Sequence, residues 1–370
     1  MNFTCSRKDL VEAFNVVSKA VSSKPQMPIL SGIYMKAEGS TLELQANNFE
    51  MGIITKIPVN TESPGEIVVT GKYLQEIVRK LSGETVNIAH DETQHIANIK
   101  SDTANFKLLS MSAEDFPKVK SPETFSQFSL KTATLKNLIR KTAYACATEE
   151  VRPIFTGCCL EIAGNSVAMV ATNTHRLAIM KDHLDVELES LTFVVPSKTL
   201  WELFRMLDAS NPSNSVTIDC SRKNISFTFD NIFMTSRLID GQFPPYDKVI
   251  PKSAETTVTV NVSEMIEAVD RVALISKETE YNTIRFIFTQ DGINISSDSP
   301  EVGRAEEQIS AKIEGADIDI SFNVKYIVDV LKVIDTNECV IKLNQPLSPV
   351  DIREKDRDDF IYVVTPVRTN

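Results

Sequence analysis

The chain has no C-x-x-C pair, no H-E-x-x-H string and only four histidines, His90, His95, His175 and His183. Metal-ligand spacing of Cys and His is therefore missing, and no metal or cofactor site is expected. The six cysteines are scattered, with Cys158 and Cys159 adjacent. In 370 residues that pattern reads as reduced, buried thiols rather than a disulfide framework. No apolar run is long enough to span a bilayer. The opening MNFTCSRKDL lacks the apolar core of a signal peptide, so an intracellular location is the default. Catalytic strings are absent as well. No G-x-x-x-x-G-K-[ST], G-x-S-x-G or G-x-G-x-x-G occurs. Gly65–Tyr73, GEIVVTGKY, is a near miss that has bulky Ile and Val where a phosphate loop needs glycine. A lone histidine such as His175, beside Arg176 and without a nucleophile in the pattern, is more often structural than catalytic.

What is present is a soluble globular composition, 42% hydrophobic and 24% charged, with a net charge of -11. The length points to two or three domains. An acidic chain argues at first against a nucleic-acid partner, so any basic surface has to be local. One stretch stands out: Lys131–Ala147 reads as a helix whose Leu135, Leu138, Ile139, Ala143 and Cys146 share one side. Lys136, Asn137, Arg140, Lys141 and Tyr144 fall on the other, and Lys131–Lys141 holds four basic residues and no acidic one.

That helix belongs to a repeat. Helices with apolar stripes starting at Leu10, Leu135 and Met265 are spaced 125 and 130 residues apart. A second set starts at Leu74, Leu200 and Ile327, spaced 126 and 127. Strand-like runs surround each helix, and the connectors Phe116–Pro122 and Gln242–Lys252 separate the units. Three α+β domains of similar length are expected, 1–122, 123–252 and 253–370, each with two helices packed on antiparallel sheet. The sequence reads as separate strands at Cys158–Ile162, Ser166–Ala171 and Leu177–Lys181. Ser6, with Asp9 three residues on, is expected to cap the first helix. The six helix windows, 7–19, 72–80, 131–141, 198–208, 262–277 and 323–335, hold sixteen Lys and Arg against ten Asp and Glu, which leaves −17 for the rest. Helices that all point one way would make one basic side, suited to backbone contact with duplex DNA.

Specific strings then carry a resemblance. Thr172–Ala178, TNTHRLA, is similar to the T-D-x-H-R-L-A string of the bacterial DNA polymerase III beta subunit family, the sliding clamps. Arg237–Pro244, RLIDGQFP, resembles the family's L-(V/I/L)-D-G-x-(F/Y)-P. Phe322–Leu331, the ending Val364–Thr369 and the F-T opening are similar too, so the likeness runs the full length. Asn173, Thr174 and Thr365 depart from the family's usual residues, which bears on the preference of the partner pocket.

The resemblance implies a non-catalytic clamp: a head-to-tail homodimer closing a ring of six similar domains around duplex DNA, sequence-independently, with helices lining the hole. It implies a bacterial cytoplasmic protein, nucleoid-associated during replication. Its partners would be the replicative polymerase alpha subunit, clamp-loader subunits, other polymerases and repair proteins, all through a short linear peptide. Lys24, Lys72, Arg79, Lys136, Arg140, Lys141, Arg152, Lys198 and Arg205 are expected to face the DNA. For the peptide pocket it points to Thr172, Thr174, His175, Arg176 and Leu177 in one stretch and Pro244, Lys248 and Val249 in another. The C-terminal stretch adds Val363, Val364, Thr365, Pro366, Val367 and Arg368. Arg176 and His175 are expected to bond the peptide's polar positions. Phe106, Leu108, Leu274 and Ile275 are expected at the dimer interface, where edge strands could pair across subunits. Two alternatives stand beside this: a protein scaffold that does not encircle DNA, and an enzyme with an interdomain cleft around His175 and Arg176.

Overall fold

The structure, a computed structural model, describes residues 1–22, 24–121, 123–149, 151–276 and 282–368. The expected boundary at 122, Lys277 of the fifth helix window and Thr369 of the closing string lie outside them.

Among the described residues there are six α-helices: α1 Arg7–Val17, α2 Gly71–Lys80, α3 Thr132–Thr142, α4 Ser197–Met206, α5 Val262–Ser276 and α6 Val324–Leu331. Three of the starts, those of α1, α5 and α6, are made by short polar side chains that satisfy orphan backbone N–H groups, whereas Thr70 before α2 makes no such bond. Ser6 accepts from the Asp9 N–H at 3.4 Å, as the capping pattern predicts. Asn261 accepts from Glu264 at 3.1 Å, and Asn323 from Lys325 at 3.0 Å. The stripes go inward: Leu10, Ala13, Phe14 and Val17 on α1, and Ile327, Val330 and Leu331 on α6, are buried.

The described chain divides into two compact units. The first comprises Met1–Leu135 with Glu202–Leu238, the second Lys136–Trp201 with Ile239–Asn370. In the first, thirteen strands form one antiparallel sheet. It is continuous because Ile232–Arg237 pairs with Met51–Pro58, Ile232 opposite Thr55. Alternating strands such as Ser215–Cys220, SVTIDC, bury every second side chain, the pattern of a sheet with one covered face. Helices α1 and α2 pack together on this sheet.

The second unit holds a seven-stranded and a four-stranded sheet. Two of its strands, Gly157–Thr172 and Arg176–Pro196, are longer than the sequence suggests. The expected break near 163–165 is an irregularity of register around Gly164, whose φ is +61°. The turn residues there bend one hairpin instead of ending it. Strand Phe360–Val364, FIYVV, is buried at every position, and it joins the seven-stranded sheet beside Arg176–Pro196. All six cysteines are unpaired and buried.

Candidate partner groove, basic residues and sheet edges

Asn173, Thr174 and His175 close the hairpin between Gly157–Thr172 and Arg176–Pro196. Side chains write this turn. The Thr172 hydroxyl donates to the Arg176 carbonyl at 2.7 Å and accepts from the Thr174 N–H at 3.1 Å. The Asn173 carboxamide oxygen accepts from the N–H groups of His175 and Arg176, both at 3.1 Å. Thr174 is held at φ +76°, a conformation rare for a β-branched residue. Phe360–Val364 lies alongside, Leu177 opposite Val363, and the Thr365 N–H extends the pairing to the His175 carbonyl at 2.9 Å. The connector arrives third. Phe243 is buried against Leu177, Val194 and Val363, and the Tyr246 hydroxyl donates to Glu161 at 2.6 Å.

These three stretches enclose a groove of about 210 Å³. Thr172, Thr174, His175, Arg176, Leu177, Pro244, Val249, Val363 and Thr365 of the expected set line it. Phe155, Pro245, Tyr246 and Pro349 do so as well and were not anticipated. Pro245 and Tyr246 sit inside the connector already singled out, so their neighbourhood was a signal. Phe155 and Pro349 come from distant stretches with no local pattern to mark them. Lys248 is exposed outside the lining, and Val364 is buried in the sheet opposite Arg176. Val367 and Arg368 instead border a wider recess of about 930 Å³ with Arg285 and Asp319. Pro366 lines neither.

Arg176 is anchored from inside the protein. Its guanidinium is buried, donating to Asp329 at 2.7 Å and to the Tyr144 carbonyl. It lies over the Tyr326 ring at 4.5 Å and the Tyr144 ring at 5.4 Å. Burial opposes its charge, but Tyr362 and Asp329 outweigh that and hold the pKa above the ordinary value. These bonds hold two of its N–H-bearing nitrogens from inside, while Arg176 lines the groove and its Nε–H has no partner among the described residues. His175 is exposed and stacks on Tyr326 at 6.4 Å.

Among the expected DNA-facing residues, Lys24, Lys72, Arg79, Arg152 and Lys198 are exposed and Lys136 is half-buried. Arg205 is exposed and paired with Glu202 at 2.8 Å. Arg140 donates to Asp335 at 2.6 Å and to the Val333 carbonyl at 3.3 Å. Lys141 is a correction. Its side chain is fully buried, paired with Glu354 and with Asp335 at 3.0 Å, over the Phe360 ring at 5.0 Å. A helix places residue 141 one turn from Leu138, on the packed side, and Glu354 supplies the counter-charge that makes burial tolerable.

The apolar candidates lie near open sheet edges. Ala104–Met111 pairs along 104–109 with Ile96–Ser101, while on its other side only Ser110 and Met111 are paired. Phe106 is 41% exposed, Leu108 half-buried, and Leu109, outside the expected set, 78% exposed. In the second unit, Gly303–Ile309 is one of the two outer strands of the four-stranded sheet and packs beside α5. Near the end of α5, Leu274 is 64% exposed and Ile275 half-buried.

Comparison with known proteins gives a consistent picture. Three profiles match in tandem: DNA polymerase III beta subunit, N-terminal domain at residues 1–120, central domain at 129–245 and C-terminal domain at 247–368. The chain is 34% identical to the beta sliding clamp of Bacillus subtilis and 30% identical to that of Vibrio cholerae, each alignment covering both chains fully. The crystal structure of the Bacillus subtilis DNA polymerase sliding clamp superposes with a TM-score of 0.95 at 35% identity over all of both chains. The Pseudomonas aeruginosa DNA polymerase III subunit beta superposes at 0.93 with 30% identity, again with full coverage.

Proposed function

This chain belongs to the DNA polymerase III beta subunit family, the beta sliding clamps, and is a non-catalytic DNA clamp; we propose that it works as a head-to-tail homodimeric ring around duplex DNA. The observation that carries the ring is the pair of different open edges on one chain, 104–109 and Gly303–Ile309, with exposed Phe106 and Leu109 near one and Leu274 near the other. Two unlike surfaces make a heterologous contact, which yields a ring when the rotation closes. Sheet pairing across the contact would satisfy both rows of backbone groups and cover the apolar side chains. Leu274→Asp with Ile275→Asp should give a folded monomer in sedimentation, and a variant that stays dimeric overturns this placement.

The ring reading extends to the domains, 1–122, 123–252 and 253–370, and to a cytoplasmic, nucleoid-associated location during replication. The exposed Lys24, Lys72, Arg79, Arg152 and Lys198 would meet phosphates transiently, giving weak, salt-sensitive contact that permits sliding. The groove would take an extended peptide from the replicative polymerase, clamp-loader subunits, other polymerases and repair proteins in turn. Its apolar wall of Leu177, Pro244, Val249 and Val363 suits a Leu or Phe side chain, whose burial gives roughly 1.5–3 kcal/mol. A short peptide anchored by a few such side chains would bind weakly enough for partners to exchange at one site. The enzymatic alternative falls with Arg176, whose charge is committed to Asp329 and Tyr144, and with a family that is non-catalytic.

A further inference from the structure

The turn that builds the partner groove has a counterpart in the first unit, at Asn47–Met51. Asn47 accepts from the Phe49 N–H at 2.8 Å, as Thr172 accepts from Thr174. Asn48 accepts from Glu50 at 3.1 Å and Met51 at 2.8 Å, as Asn173 does from His175 and Arg176. Phe49 has φ +69° where Thr174 has +76°. The Arg237 N–H donates to the Glu50 carbonyl at 2.8 Å, as Thr365 does to His175. Phe116-Pro117 runs beside this turn, the Asn47 side chain donating to the Pro117 carbonyl at 2.8 Å. The repeat therefore rebuilds the same three-sided groove, with a volume of about 240 Å³.

Its lining differs in kind. The second unit's groove is walled by proline, valine and leucine; this one presents Lys118, Lys120, Arg237 and Glu50 around Phe49. Lys118 is engaged by Glu66 at 3.0 Å. Lys120 and Arg237 are exposed and have no carboxylate partner among the described residues. Two unpaired cations beside an aromatic that is 44% exposed, on a chain of net charge -11, form a surface complementary to carboxylates. Phe49 also holds a backbone conformation unfavourable for a bulky residue, a strain that accompanies binding sites.

We propose that this first-unit groove is a second docking site, and that it takes an extended acidic peptide from a partner protein. The extended form of the occupant rests on the peptide reading of the second-unit groove; its charge rests on Lys120 and Arg237. Fluorescence anisotropy on the full chain tests it with two labelled probes, Ser-Asp-Glu-Asp-Leu-Glu-Ser and its Asn/Gln counterpart. The acidic probe should bind, the neutral one roughly tenfold more weakly, and saturating Gln-Leu-Ser-Leu-Phe should not displace the acidic probe. Lys120→Glu with Arg237→Glu should weaken the acidic probe by about tenfold or more and leave Gln-Leu-Ser-Leu-Phe binding unchanged. Both side chains are exposed, and circular dichroism confirms that the variant folds. No saturable binding, displacement by Gln-Leu-Ser-Leu-Phe, or an unchanged double variant overturns the proposal. So does a labelled DNA oligonucleotide that binds through Lys120 and Arg237 while the acidic probe does not. Failure of Gln-Leu-Ser-Leu-Phe to bind anywhere, with the acidic probe still sensitive to the double variant, would overturn the second-unit groove alone.

Discussion

Lys141 and Glu354 are both fully buried and bonded to each other, and without Lys141 the buried carboxylate keeps only the Asp335 N–H and a longer pair with Arg357 at 3.4 Å. Lys141→Met should destabilise by about 3–5 kcal/mol, measured by urea denaturation of the isolated chain. Asp335, half exposed, tests the same cluster through pH. Burial pushes its pKa up, but bonding from Arg140 and Lys141 outweighs that and holds it below the ordinary 3.8. A lowered folded value means that the added stability is complete above the unfolded pKa and is lost as pH falls through the lower folded one. The thermal stability gap between wild type and Asp335→Asn should therefore be widest near neutral pH and close below the folded pKa. A gap that widens on acidification would contradict the assignment. Residue type and helical spacing marked Arg140 and Lys141 as a basic pair, yet their partners Asp335 and Glu354 lie about two hundred residues away. Helical spacing puts residue 141 one turn from Leu138, but only the distant Glu354 and Asp335 decide that its charge is neutralised inside.

Elements were legible where a local cause acts. Ser6 caps α1, and the stripes of all six helices turn inward. Continuity of strands was less so, because Gly164 bends a hairpin that its sequence appears to end. The hairpin Thr283–Thr289 to Gly292–Ser299 depends on a glycine for a tighter reason. Gly292 has φ +127°, and a Cβ there would lie 2.4 Å from the Ile309 carbonyl oxygen. Gly292→Ala should cost about 1–3 kcal/mol from strain, read as a lowered Tm. An unchanged Tm would show that the hairpin can shift. The open edge 104–109 is a different kind of finding. Phe106 and Leu108 alternate along this strand, but Leu109 is the most exposed of the three.

For the whole molecule, charge and the chain's end make the predictions. Lys72→Glu with Arg79→Glu, on exposed positions of α2, should reduce retention on nicked circular DNA and flatten its salt dependence while leaving the assembly intact. Unchanged retention would count against DNA contact by α2. Truncation after Val364 removes the Thr365 bond to His175 and the Val367 bond to Ser321. The truncated chain should assemble normally yet lose Gln-Leu-Ser-Leu-Phe binding in calorimetry, and wild-type affinity would sink the groove assignment. The sequence by itself determined the threefold repeat, the helix faces and the family, because periodicity, caps and short strings act over a few residues. The turn at 172–176 takes its shape from its own Thr172 and Asn173 side chains. Tertiary structure alone decided that Arg176 is bonded to Asp329 and that Phe155 and Pro349 complete the groove. Those outcomes depend on which distant groups arrive within a few ångströms, and burial then sets whether a charge faces water or a partner.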